Sequence, residues 1–160
     1  ANAMLVDTKG ARNVAVGYGT LMAQNLTTAV NSYNVAVGFD AGAAVTTGVQ
    51  NTLVGGLAGD ALTDADYNVA IGMGALTADT LGSRSVAIGP FALESQNFTT
   101  ATDSHNVAVG NHAGLSVSTG INNVLVGSLA GDAITTGSSN VAIGKESLTT
   151  NVLGLSLIHI

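Results

Sequence analysis

One five-residue unit, Asn106-Val107-Ala108-Val109-Gly110, occurs eight times in closely similar form along the 160-residue chain. The copies begin at residues 13, 34, 51, 68, 85, 106, 123 and 140, in steps of 21, 17, 17, 17, 21, 17 and 17 residues. A regular period of this size is typical of a solenoid, in which each repeat forms one coil that stacks on the next. We therefore number each coil from its unit, with Asn106 at position one and Gly110 at position five.

The order of long and short steps itself repeats after 72 residues, so that four coils form a larger repeat. Leu57–Ala61 returns as Leu129–Ala133, and Gln24-Asn25 returns as Gln96-Asn97. Duplication of a four-coil block explains this match.

Each long coil gains four residues around a Thr-Thr pair, within Met22–Tyr33 and Glu94–His105. These segments are predicted to bulge at the same corner of the solenoid, four coils or about 19 Å apart. The candidate ligand contacts in these loops are Gln24, Asn25, Gln96 and Asn97.

The unit itself predicts a β-strand followed by a turn. Positions two and four are β-branched in nearly every coil, which favours a pleated strand. Position five is always glycine, which indicates a positive φ or a close backbone approach. These turn glycines are Gly17, Gly38, Gly55, Gly72, Gly89, Gly110, Gly127 and Gly144. A second short strand is expected after each glycine, and corners such as Thr46-Thr47-Gly48 close the coil.

No apolar spacing of 3.6 residues survives in this pattern, so helix is not expected. The predicted fold is all-β, a parallel β-solenoid of 17- and 21-residue coils. Its interior is thin, because side-chain volumes are traded between positions. Gly42 at position nine accompanies apolar Val45 at position twelve, whereas Leu76 accompanies polar Asp79, and Leu148 accompanies Asn151. A core filled at constant volume produces such a trade.

Alternation along the strand sends positions two and four to one face and position three to the other. We assign the β-branched face to the interior of the coil. Position three then forms an apolar row on the outside, and a strand that is apolar on both faces is normally covered on both. This row is predicted to be the interface of a homotrimer and consists of Ala15, Ala36, Leu53, Ala70, Ala87, Ala108, Leu125 and Ala142.

The composition excludes several classes of partner. Only 9% of the residues are charged, against roughly 25% in ordinary domains. The net charge is −6 with four Lys and Arg in total, which argues against nucleic-acid and anionic-membrane partners. No apolar run approaches the roughly 18 residues of a membrane span, so membrane insertion is not expected. The absence of cysteine removes disulfides and thiolate chemistry.

No pattern of residues points to catalysis, a cofactor or a metal. Asp60 and Asp132 occupy equivalent places without a nearby His or second carboxylate, so solvation is favoured over calcium binding. His105 and His112 belong to different parts of adjoining coils and are interpreted as loop residues. Since no Ser, His and acid recur together, a catalytic triad has no support and an enzyme is not expected.

The ends of the chain differ in how well they follow the repeat. Residues 1–12 match the part of the repeat that precedes residue 85, so the sequence opens in the middle of a coil. The repeat holds through Leu153-Gly154 and then gives way to Leu155–Ile160. One reverse translation of those six residues is CTG TCT CTT ATA CAC ATC, the transposon end used as a sequencing adapter. We therefore predict one repeat domain over 1–154, open at both ends, and a non-native tail over 155–160.

The units Asn68–Gly72 and Asn140–Gly144, and Ser85–Gly89 followed by Ala92, resemble the head repeats of trimeric autotransporter adhesins of the YadA-like class. The longer form with Thr-Thr-Gly corners is also similar to repeats of phage tail-fibre proteins. The resemblance covers nearly all of residues 1–154. It implies a left-handed β-roll, three chains around one axis, and adhesion to a host or surface ligand from an extracellular position on a bacterial cell or a virion. Coils of 17 and 21 residues are longer than those of the best-known heads, which leaves the loops and the ligand open.

Two alternatives to an adhesin head remain open. A phage or phage-like tail-fibre shaft would use the same repeats without a ligand. An ice-binding solenoid would need regular rows of Thr, but the Thr pairs are adjacent in sequence, so their side chains point in different directions. The rows are also broken at Thr63-Asp64 and Thr80-Leu81.

Overall fold

The computed structural model describes residues 3–150 and 154–160. Within these residues the chain forms thirteen short strands and no helix, and hence no helix that could cross a membrane. The strands are β1 Gly10–Ala11, β2 Val14–Val16, β3 Val30–Asn31, β4 Val35–Val37, β5 Thr52–Val54, β6 Val69–Ile71, β7 Gly82–Ser83, β8 Val86–Ile88, β9 Thr102–Asp103, β10 Val107–Val109, β11 Val124–Val126, β12 Val141–Ile143 and β13 Ile158–His159.

Nine of these strands form one sheet in the order β2-β4-β5-β6-β8-β10-β11-β12-β13. Every neighbouring pair in it is parallel, and equivalent positions of successive units are paired, as Ala36 is with Leu53. Each unit therefore stands directly on the next, which confirms the predicted parallel β-solenoid. The long coils add two small parallel sheets, β1 with β3 and β7 with β9.

The predicted turn glycines have φ values between 120° and 142°. A side chain is also excluded there by space, because a Cβ built on Gly38 would lie 2.5 Å from the carbonyl oxygen of Gly55. Stacked backbones approach so closely at this corner that only glycine fits.

The second strand expected after each glycine does not form. The chain turns instead, and position seven or nine adopts the left-handed conformation even where it is not glycine, as at Leu57 (φ 59°) and Leu76 (φ 56°). The last position of the coil does the same at Tyr67 (φ 60°). Such residues cost about 1–2 kcal/mol each. Bonds to the preceding coil offset this cost, since Leu57 N donates to Phe39 O at 2.9 Å and Tyr67 N donates to Val49 O at 3.1 Å.

The assignment of the two strand faces was wrong. Position three fills the interior of the single chain, and the β-branched positions face outwards, where Val16 and Ile71 are 57% and 37% exposed. The position-three residues that were predicted as a trimer interface are instead fully buried core residues at Ala36, Leu53, Ala70, Ala87, Ala108, Leu125 and Ala142, while Ala15 is partly buried against the same core.

The narrowness of the tube explains this orientation. A Cβ added to Gly42 would lie 2.6 Å from Cδ1 of Leu53, and one added to Gly59 would lie 2.8 Å from Cδ2 of the same Leu53. Leu53 is therefore accommodated by Gly at position nine of its own coil and of the preceding coil. In the next coil Ala70 at position three accompanies Leu76 at position nine in the same core. The volume trade predicted between positions nine and twelve extends to position three, and all three point inwards.

A ladder of buried side chains joins position one of successive coils. Asn51 N donates to Oδ1 of Asn34 at 2.9 Å, and Asn51 Oδ1 accepts from the N–H of Asn68 at 3.0 Å. The amide Nδ2 of Asn51 also donates to the carbonyl of Ala65 in the same coil at 2.7 Å. Each Asn of the ladder from Asn34 to Asn140 thus ties its coil to a neighbour and closes its own coil on itself, whereas Nδ2 of Asn13 has no partner.

The coil geometry continues beyond residue 154. Strand β13 pairs with β12, placing Ile158 opposite Val141, and Leu157 N donates to Oδ1 of Asn140 at 3.1 Å. The prediction that Leu155–Ile160 leaves the coil pattern was therefore wrong. The unpaired edge of β12 is a template for any extended segment, with or without the Asn and Gly of the repeat.

The non-native origin of that tail and the domain limit at 154 stay predictions. The predicted roles of Asn151 and Leu153 in the repeat lie outside the described residues.

We expect the two strand faces to respond differently to added volume. Ala108→Leu should lower the free energy of unfolding by about 2 kcal/mol or more, because the new side chain has to share the tube with Leu125 of the next coil. Val107→Leu, on the outer face, should change it by less than about 1 kcal/mol. Chemical denaturation of both variants measures this, and equal effects at the two positions would contradict the orientation of the strand.

Candidate oligomer interface and surface loops

The outer face of the large sheet is uncharged along its whole length and apolar except at Thr52. Positions two and four contribute side chains that carry no charge, and these residues are partly or largely exposed. We call this surface the Val/Ile face. Its residues are Val14, Val16, Val35, Val37, Thr52, Val54, Val69, Ile71, Val86, Ile88, Val107, Val109, Val124, Val126, Val141 and Ile143. Eight stacked strands extend it over about 38 Å, and an apolar face of this length marks an interaction surface.

One edge of the Val/Ile face is formed by the residues that directly follow the turn glycines, and we call it the glycine edge. It carries exposed aromatic and thioether side chains at Tyr18, Phe39 and Met73. The rings of Tyr18 and Phe39 stack with their centroids 5.6 Å apart. Their stacking follows the spacing of the coils, so the glycine edge is an ordered row.

The opposite edge is formed by the residues that directly precede position one, and we call it the asparagine edge. The guanidinium of Arg12 lies 5.4 Å from the ring centroid of Tyr33, and that of Arg84 lies 4.7 Å from the ring centroid of Tyr67. Arg84 also pairs with Asp103 at 3.0 Å, with both side chains about half exposed. Cation–π contacts and ion pairs at exposed sites contribute about 1 kcal/mol or less each, so these contacts mainly order the edge.

The residues that are exposed in the long-coil loops are not all the ones that were predicted. Gln24 and Gln96, proposed as ligand contacts, are fully buried. Gln96 Nε2 donates to Asp79 at 2.6 Å and to Ser85 Oγ at 2.9 Å, and Gln96 Oε1 accepts from Asn106 Nδ2 at 2.8 Å. Their polar groups are needed inside the coil, where an unpaired donor or acceptor is costly.

Asn25 and Asn97 are exposed, as a ligand contact requires. The exposed tips of the two loops are the equivalent residues Thr27-Thr28 and Thr99-Thr100. These threonines were not singled out from the sequence, although their position at the centre of each four-residue insertion could have indicated them.

The buried glutamine changes how the second long coil closes at position one, where Ser85 replaces Asn; the first long coil buries Gln24 as fully but keeps Asn13, whose Nδ2 has no partner. In a short coil the Asn amide reaches a carbonyl fourteen residues later, as Asn68 Nδ2 reaches Gly82 O at 2.9 Å. In the long coil Gln96 enters the tube at this level, and Ser85 Oγ bonds with it and with Ser104 Oγ. A shorter side chain is therefore accommodated at position one.

Asp79 is the fully buried carboxylate in this network. Its burial raises the pKa above the ordinary value for aspartate, although Gln96 and the N–H groups of Phe98 and Gly82 act in the opposite direction. The equivalent residue 72 positions earlier, Asp7, lies just before the first long coil and is less buried. Burial also acts to raise the pKa of Asp7, but bonds from Gly10 N and from Gln24 outweigh it, so the pKa of Asp7 is lowered.

The other polar residues weighed from the sequence lie apart from one another. Asp60 accepts a hydrogen bond from Thr77 Oγ1, whereas Oδ1 of Asp132 is buried without a partner. The ring of His112 stacks on Phe91 at 5.3 Å, and His105 lies on the asparagine edge. Over residues 3–150 and 154–160 no three His, Asp or Glu side chains are grouped closely enough to hold a metal ion, and no pocket opens.

Comparison of the chain with models of protein families, with curated proteins and with solved structures finds no match. The function therefore has to be inferred from the fold and from its surfaces.

We expect Asp79 and Asp7 to affect stability with opposite dependence on pH. The raised pKa of Asp79 means that its contribution is present below about pH 3.9, the unfolded value, and is lost as the pH rises through the folded value. The lowered pKa of Asp7 means that its contribution is present above about pH 3.9 and is lost as the pH falls through the folded value.

Equilibrium unfolding between acid and neutral pH should therefore show two trends. The free energy of unfolding of the parent minus that of Asp79→Asn should fall as the pH rises. The free energy of unfolding of the parent minus that of Asp7→Asn should increase over the same range. The same trend for both variants would show that burial does not distinguish the two carboxylates.

Proposed function

We propose that this chain is a structural and adhesive repeat region of a surface-exposed homotrimer, either an adhesin head or a fibre. The three solenoids would lie parallel, with their Val/Ile faces around one axis. The observation that carries the proposal is this uncharged, partly exposed face, which continues through eight coils without a break. Chains of this kind act outside the cell, on a bacterial or virion surface, where a long repetitive rod holds a binding surface away from its base.

The area of the Val/Ile face suits a stable assembly. The strand and its two flanking edge residues span six residue steps, or at most about 20 Å, and eight coils span about 38 Å. The product, at most about 750 Å² per chain, is shared between two neighbours in a trimer, and in total it is close to the roughly 800 Å² that one partner buries in a standard interface.

The width of the face favours three chains. Three faces about 20 Å wide form a triangular prism whose sides lie about 6 Å from the axis, close to half the roughly 10 Å at which sheets pack face to face. One layer of Val and Ile side chains from each chain then fills the centre. The corrected orientation of the strand thus supports the trimer with the β-branched face, and not the alanine face, at its axis. The left-handed winding implied by the adhesin resemblance belongs to the same proposal.

The loops favour an adhesive role over a plain tail-fibre shaft. Thr27-Thr28 and Thr99-Thr100 project on equivalent coils about 19 Å apart, so that a trimer would present six of these pairs in two rings. Hydroxyl groups on ordered loops suit a polar ligand such as a surface glycan. A shaft without a ligand is the runner-up, because the same core and face would serve it equally well.

The rows of Thr at the corners give less support to ice binding. Thr63 Oγ1 donates to Thr80 O at 3.0 Å and Thr46 Oγ1 donates to Thr63 O at 3.3 Å. Because these hydroxyls bond along the axis to the next coil, they are not free to order water on a flat face.

We expect the parent protein to have a mass about three times the 15.7 kDa of one chain by light scattering after size exclusion. Val109→Arg should give a folded monomer, because three arginines near one axis cost several kcal/mol in desolvation and repulsion. The control Thr119→Arg, at an exposed corner, should remain a trimer with a stability change of about 0.5 kcal/mol or less. A monomeric parent of full stability, or a trimeric Val109→Arg, would refute the proposed interface.

We expect beads coated with the trimer to adhere to immobilised cell-surface glycans or extracellular matrix proteins. Changing Thr27, Thr28, Thr99 and Thr100 to Ala should reduce this adhesion at least tenfold, because the loops lose their exposed hydroxyls while the core is unchanged. The matched control changes Thr119 and Thr136, exposed on short coils. If the parent does not adhere, the proposed function is the shaft without a ligand. If the control loses as much adhesion as the loop variant, the loops are not the ligand contact.

A further inference from the structure

The two edges of the Val/Ile face are far apart in one chain but adjacent in the proposed assembly. Tyr33 and Phe39 flank β4 at its two ends, and the six residue steps between them span at most about 20 Å. In a closed ring of three parallel chains every contact is heterologous, so one edge of each chain meets the opposite edge of the next. The pairing of these edges rests on the proposed trimer and specifies which surfaces of the second copy make the contact.

A threefold rotation moves nothing along the axis, so a given coil lies at the same height in all three chains. The asparagine-edge residue before each strand therefore meets the glycine-edge residue after the same strand in the neighbouring chain. In the first half of the chain the pairs are Arg12 with Tyr18, Tyr33 with Phe39, Gln50 with Gly56 and Tyr67 with Met73. In the second half they are Arg84 with Pro90, His105 with Asn111, Asn122 with Ser128 and Ser139 with Lys145.

The pairs of the first half match in chemistry. Arg12 with Tyr18 joins a cation to an aromatic ring, Tyr33 with Phe39 joins two rings, and Tyr67 with Met73 joins a ring to a thioether. Each combination is a favourable contact in its own right. The side chains of Tyr18, Tyr33 and Phe39 are about half exposed in the single chain, so they are available for it.

The internal duplication provides a comparison within the chain. Interior residues are kept between the halves, as Leu53 is at Leu125, but the edges change. Tyr33 and Phe39 become His105 and Asn111, both polar, on opposite edges. Two edges that do not touch in one chain have therefore changed character together, which is explained if they touch in the neighbouring copy.

We propose that the glycine edge and the asparagine edge of the first four coils form a heterologous aromatic contact between neighbouring chains. This contact makes the first half of the solenoid the tightly held part of the trimer. The second half, with polar residues on both edges, adds the Val/Ile face but little edge contact.

Cross-linking tests the pairing directly, because the chain contains no cysteine. The double variant Tyr33→Cys/Phe39→Cys, treated with a short bis-maleimide, should run as a covalent trimer on a denaturing gel. A cross-link within one chain would run as a monomer on this gel, so the covalent trimer reports only contacts between chains. Each single variant should remain uncross-linked, since like edges do not meet.

Dissociation on dilution tests the energetic part. Phe39→Asn installs the residue that the second half uses at the same place, Asn111, so the coil should fold normally. We expect the dilution midpoint for dissociation to rise at least tenfold. The matched control Asn111→Ser should change it less than threefold.

The outcomes separate this inference from the proposal on which it rests. A monomeric parent overturns both. A trimeric parent in which the double variant gives no covalent trimer, or in which Phe39→Cys alone gives covalent dimers, overturns only the edge pairing. Equal dilution effects of Phe39→Asn and Asn111→Ser overturn the assignment of the first half as the tight part.

Discussion

The buried ladder at position one is the interaction on which every coil depends. Each ladder Asn from Asn34 to Asn140 accepts a bond from the next coil and donates to the end of its own coil, as Asn123 does with the N–H of Asn140 at 3.0 Å and with Gly137 O at 2.9 Å. A buried polar group without partners costs about 1–3 kcal/mol. The ladder residues are therefore satisfied only when the coils have one length and one register. Short coils of other lengths would leave both the amide and the facing carbonyl unpaired.

A coil closed in this way has a very narrow interior, and the narrow interior determines which side chains lie on the outer surface. Small residues at position three and the exchange of Leu for Gly at position nine fill the interior completely. The bulkier Val and Ile side chains of the same strands therefore have to lie outside. The chain, in which 9% of the residues are charged, thus carries a long apolar face. In the proposed trimer, the same faces of the other two chains cover it. The long coils solve the closure differently, with Gln24 or Gln96 inside, and so carry surface loops at regular intervals.

The repeat of the unit was sufficient to predict the parallel solenoid, the coil starts and the positive φ of residues such as Gly38. Alternation also showed that positions two and four share a face, but not which face is inside, because Ala and Val are both common in cores. The size of the interior decided this, and it depends on positions eight to twelve together. The left-handed backbone conformation of Tyr67 could not be predicted, because tyrosine has no particular preference for that conformation. Ser85, the one departure from Asn, lies in the altered closure that buries Gln96, but it was not a sufficient signal, because the first long coil buries Gln24 with Asn13 at position one.

Hydrogen exchange of the asparagine side-chain amides, followed by NMR, tests the central role of the ladder most directly. The Nδ2 protons of Asn51, Asn68 and Asn123 should exchange as slowly as the most protected backbone amides, because they are released only when the coils open together. The exposed Asn25 provides the reference for unprotected exchange. Exchange of the Asn68 amide at the rate of Asn25 would contradict the central role of the ladder, because the coils would then be held together by other interactions.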